Sequence, residues 1–124
     1  MNILLETIAH EAQRYPTVGD WTVKDGNIRI MVSKMEPEDY SFLVGLHELV
    51  EVWLCRKRGI SQEAADAFDI EFEKNRPEGN MNEPGDDPKA PYVREHQFAT
   101  KIERLMAEEL GVEWDAYNAA VENL

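Results

Sequence analysis

The sequence predicts an α+β fold, a mostly helical single domain with a small N-terminal antiparallel sheet beside a buried central helix. Three observations carry that expectation. The stretch from Tyr40 to Cys55 is apolar nearly all the way round, as in a helix enclosed by protein. Upstream, Asp25-Gly26-Asn27 separates Trp21–Lys24 from Ile28–Val32, and Asp-Gly between β-branched and aromatic runs marks a hairpin over 21–32. Downstream, two further stripes of helical period are bounded by Ser61, a good N-cap, and by Gly111, a helix breaker.

Composition bounds the function classes. The 124 residues suit one core, and 43% hydrophobic with 31% charged residues is ordinary for a globular domain. No run approaches the ~18 apolar residues of a membrane span. The start of the chain lacks a signal-peptide pattern, and the lone Cys55 lies inside the apolar helix, so a reducing, cytoplasmic setting is expected. A formal charge of -12 argues against nucleic-acid binding through a basic surface. It fits a cation site, a basic partner, imitation of DNA, or a solvated acidic surface.

Taken in order, Asn2–Thr7 can form a short strand through Ile3, Leu4 and Leu5. His10–Asp20 carries Pro16 and Gly19 and reads as a surface loop. In the hairpin, Ile28 and Ile30 share one face while Arg29 and Met31 take the other. The central helix is expected over about 39–58, with Pro37 near its start and Arg56-Lys57-Arg58-Gly59 closing it. Gly45 within it marks close packing against a neighbour.

The next helix runs from Ser61 to about Lys74 on a stripe of Ala64, Ala65, Phe68 and Phe72, with Asp69 at its edge. Residues 76–91 hold Pro77, Pro84, Pro88 and Pro91 and exclude regular structure, which leaves a functional flap or a disordered loop. A helix over 92–110 places Phe98, Ala99, Ile102, Leu105 and Met106 on one face, with Glu95 in the middle of that face and His96 at its flank. A last helix from Trp114 to Asn123 packs Trp114, Tyr117 and Val121 on the body.

Polar residues inside apolar stripes need a partner or an ion. His47 and Glu51 lie one turn apart on one face of the central helix, with Glu48 about 100° round. This is the His-Glu-x-x-His metalloprotease pattern with a glutamate in place of the second histidine. His47 and Glu51 can bind one divalent metal, zinc before manganese, iron or nickel, with the third ligand drawn from His96, Glu95 or Asp69. Glu48 would serve as general base in a hydrolase. The competing account is a buried hydrogen-bonded His47–Glu51 pair without metal, with Glu95 clamped to an arginine such as Arg56 or Arg94. A further alternative places magnesium on Glu48-x-x-Glu51 and Asp66-x-x-Asp69, as in all-helical nucleotide pyrophosphohydrolases.

Several strings together resemble a family of small uncharacterised bacteriophage and prophage proteins: Gly19-Asp-Trp21, Phe42–Glu51, Arg58-Gly-Ile60, Phe68-Asp69, and Pro84–Tyr92 with Glu95-His96. The resemblance spans most of the chain and implies the bacterial cytoplasm during infection, without implying an activity. The likeness to zincin-type proteins rests on His47-Glu48-x-x-Glu51 alone. A role without catalysis, in which the acidic surface engages a host protein, is the alternative from another class. Neither the substrate nor its class is expected from these residues.

Overall fold

A computed structural model describes residues 1–124. Strands β1 (Ile3–Ile8), β2 (Gly19–Lys24) and β3 (Asn27–Ser33) precede helices α1 (Glu38–Lys57), α2 (Gln62–Lys74), α3 (Val93–Leu110) and α4 (Trp114–Glu122). Single 3-10 turns occupy His10–Ala12 and Pro84–Asp86. The α+β architecture and the order of its elements are those read from the sequence. No helix is long and apolar enough to cross a membrane.

Positive φ at Asp25 (52°) and Gly26 (77°) turns β2 into β3 with the twist that a two-residue hairpin favours. The sheet is mixed rather than purely antiparallel. β3 is the middle strand, antiparallel to β2 and parallel to β1, with Leu5 opposite Ile30. Met31, on the face opposite Ile28 and Ile30, is buried as well, whereas Arg29 on that same face is exposed. Gln13 folds the 9–18 loop back over that strand by donating to Met31 O and Ser33 Oγ, each at 3.2 Å.

Helix α1 lies across the sheet. Its start is tied to the end of β3 by Ser41, whose Oγ accepts from Met35 N–H at 2.9 Å and donates to Ser33 O at 3.1 Å. Gly45 permits the close approach expected of it, because a Cβ there would come within 2.7 Å of Leu5 Cδ1. Leu43, Val52 and Cys55 are fully enclosed, and with Ile30 and Val32 they form the centre of the core. Ser61 caps α2 by accepting from Ala64 N–H at 3.1 Å, and Gly111 ends α3 in the left-handed conformation.

The buried face of α3 is rotated from the one expected and shares only part of it. Phe98 and Leu105 are exposed, at 47% and 61%. Glu95 and Ala99 of that face are buried as expected, and the buried side continues through His96, Glu103 and Ala107 rather than through Phe98 and Leu105. The small Ala99 and Ala107 let α3 approach α1 closely, and polar side chains fill the space that larger apolar groups would occupy. Ala64, counted in the α2 stripe, is likewise exposed, whereas Ala65 is buried. Residues 76–91 form a long connection, the flap, with Gly85 and Ala90 buried against the body.

These differences generate a stability prediction. Leu43→Ala should cost about 3 kcal/mol in urea unfolding, the usual range for emptying a filled core site being ~2–5 kcal/mol. Leu105→Ala should cost no more than about 0.5 kcal/mol, as expected for a surface position. Comparable losses from the two would contradict the face assigned to α3.

Candidate metal centre

Two helices bring the site together. His47 and Glu51 project from one face of α1, and His96 and Glu103 from the facing side of α3. His47 Nε2 lies 3.1 Å from Glu51 Oε2 and 3.1 Å from His96 Nδ1, and His96 Nδ1 lies 3.0 Å from Glu51 Oε2. All three side chains are buried. Donor atoms held at ~2.0–2.1 Å by a tetrahedral ion stand roughly 3.3 Å apart, so a small inward-facing triangle of this size fits such an ion with little movement.

Each member is oriented by a partner behind it. His47 Nδ1–H donates to Glu103 Oε1 at 2.7 Å, and Tyr117 OH donates to the other oxygen of Glu103. Trp21 Nε1–H donates to Glu51 Oε1 at 3.0 Å, which leaves Oε2 for the centre. His96 Nε2 lies 3.1 Å from Glu83 and 3.3 Å from Asp86, both on the flap. Gly85 between them rests on the imidazole, since a Cβ there would stand 2.4 Å from His96 Cγ and Nδ1. Imidazoles backed by carboxylates on their outer nitrogens present the inner nitrogens as lone pairs.

The electrostatics follow from burial among carboxylates. Burial opposes charge on His47, but its bonds to Glu103 and Glu51 outweigh that, and its imidazole is pushed up to about 10. Burial likewise opposes charge on His96, and Asp86, Glu51 and Glu83 push it up to about 12. Burial alone would raise Glu51, yet the two histidines hold its carboxyl down to about 2. The centre therefore demands positive charge, which protons supply where no metal does.

Glu48 is set apart from this network. It lines the same cavity, of about 380 Å³, and accepts no side-chain hydrogen bond. Burial, and then repulsion from Glu51, raise its carboxyl well above the ordinary range. Gly19 of β2 makes room for it, because a Cβ at that position would meet Glu48 Oε1 at 2.7 Å.

Two of the expected ligands are engaged elsewhere. Glu95 is buried and accepts from Arg58 Nη1 at 2.7 Å, an arginine clamp of the kind expected, made by Arg58 rather than by Arg56 or Arg94. Asp69 lines the cavity and accepts from Tyr92 OH and, at 3.0 Å, from Tyr15 OH. Burial raises its carboxyl to about 6 although both tyrosines oppose the shift. Asp66 is paired with Arg14 at 3.1 Å, and Glu48, Glu51, Asp66 and Asp69 do not converge on one point as the magnesium alternative requires. The sheet also sets the chain apart from an all-helical fold.

Sequence reading missed Glu103, Tyr117, Trp21, Glu83 and Asp86. Only Glu103 carried a readable signal, lying seven residues after His96 and so two turns along the same helix face. The others reach the site through tertiary packing.

A pH dependence follows for the protein stripped of metal. The raised folded values of His47 and His96 give stability that is complete below the unfolded value of 6.5 and is lost as pH rises toward about 10 and about 12. The depressed value of Glu51 gives stability present above 4.5 and lost as pH falls toward about 2. Urea unfolding in chelator should therefore show stability falling steadily from pH 6.5 to 9, with a shallower fall in His47→Gln/His96→Gln. A flat or rising wild-type profile would contradict the assignment. No protein-family model, curated protein or solved structure matches the chain, so its chemistry has to be read from its own side chains.

Proposed function

We propose that the chain is a mononuclear metal-dependent hydrolase, with His47, His96 and Glu51 as ligands and Glu48 as general base. The observation that carries this reading is the triangle of inward-facing atoms, His47 Nε2, His96 Nδ1 and Glu51 Oε2, whose other polar atoms are already satisfied. These atoms stand 3.0–3.1 Å apart, and a cation among them would take the place of the protons that otherwise hold them together. Two imidazoles and a carboxylate are a known donor set for catalytic zinc, one that leaves a coordination position open.

A zinc ion in this position would supply the polarisation of water and of a substrate carbonyl. The chain supplies the rest. Glu48, with its raised carboxyl, is suited to take the proton of the attacking water and return it to the leaving group. Glu103 and Tyr117 hold His47, Trp21 holds Glu51, and the flap holds His96, so the ligands need little reorganisation on binding. A second reading, engagement of a host protein in an infected bacterial cell through an acidic surface, draws support from the formal charge of -12.

The two glutamates of α1 separate binding from catalysis. Competition with a chromophoric chelator should give one zinc per chain, and Glu51→Gln should weaken binding by about 10-fold or more. Glu48→Gln should keep zinc and fold while lowering turnover of peptide or ester substrates by about 100-fold or more. Loss of zinc in Glu48→Gln with retention in Glu51→Gln would reverse the roles.

A further inference from the structure

We infer that the substrate of this site carries a positive charge on a short aliphatic stem, as a lysine side chain does. The inference deepens the hydrolase reading and rests on it for the position of the reacting group.

The cavity is lined by nine carboxylates against one guanidinium, that of Arg76. That guanidinium is consumed by Glu73, which it meets at 2.7 and 2.8 Å. Asp20 and Asp66 share the single positive charge of Arg14, and Glu51, Glu83 and Glu103 face the two histidines. Asp69 has two tyrosine hydroxyls and no cation. Glu122, at the mouth, accepts only from Asn118 Nδ2 at 3.1 Å. A cleft lined by one sign of charge and walled by protein focuses its field on what enters.

A second, independent feature has the same sign. Helix α4 ends at the cavity, where Val121, Glu122 and Leu124 contribute to the lining. The exposed carbonyls of a helix C-terminus carry partial negative charge, and α4 has no basic residue in its last turn to offset it. Elsewhere in the same lining stand Trp114, Tyr117 and Met81, apolar surface that suits a methylene stem rather than a bare ion. Phosphorylated substrates meet repulsion from all these groups, which weighs against nucleotides.

The test uses N-acetyl-lysine methylamide, its uncharged norleucine counterpart and its glutamate counterpart. Trp21 and Trp114 line the cavity, so quenching of intrinsic fluorescence reads binding without turnover. On the zinc-loaded Glu48→Gln chain, the lysine compound should bind about tenfold tighter than norleucine at low salt, with the gap narrowing as salt rises. Glu122→Gln should narrow that gap about threefold without changing zinc content. Equal or tighter binding of the norleucine or glutamate compound overturns the inference, as does a gap unmoved by Glu122→Gln. Zinc content measured on the same samples separates the two claims: zinc without lysine preference sinks this inference, and lysine preference without zinc sinks the hydrolase reading.

Discussion

The structure depends on the convergence of His47, His96 and Glu51 between α1 and α3. Burying three polar groups at the contact of two helices is costly unless each polar atom is satisfied. The outer atoms are satisfied by Glu103, Glu83, Asp86 and Trp21, drawn from α3, the flap and β2. The inner atoms face one another and call for positive charge. This requirement accounts for features with no separate explanation: a glycine pressed on an imidazole, a buried tyrosine aimed at a buried carboxylate, and alanines where α3 meets α1.

Much of the fold was legible from local rules. The Asp25-Gly26 turn and the Ser61 cap each follow from contacts a few residues apart and are found as expected, whereas α1, apolar nearly all round, is enclosed on one side only and leaves Phe42 and Trp53 exposed. The parallel pairing of β1 was not legible, because strand direction within a sheet is set by the path of the chain. The buried face of α3 was legible only in part. Phe98 and Leu105 are large apolar side chains that pull a helical wheel toward themselves, but the polar requirements of His47 turn Glu103 inward instead.

The candidate site was half readable. His47, Glu51 and His96 were anomalous as polar residues on apolar helices, and they come together. Glu95 was anomalous for the same reason, yet its need is met by Arg58. Asp69 reaches the cavity, where Tyr15 and Tyr92 satisfy it. A buried carboxylate signals only that it has a partner, and whether the partner is an ion, a guanidinium or a hydroxyl depends on side chains distant in sequence. The same holds for the acidic cavity, since a charge of -12 does not say where on the surface it gathers.

The central claim is that one metal ion is held by two imidazoles and a carboxylate. Zinc-edge X-ray absorption of the loaded protein tests it most directly. The account predicts a single shell of about four nitrogen and oxygen neighbours at ~2.0–2.1 Å, with the multiple-scattering signature of two imidazoles. A spectrum showing only oxygen neighbours, a sulfur neighbour at ~2.3 Å, or no imidazole signature would contradict it.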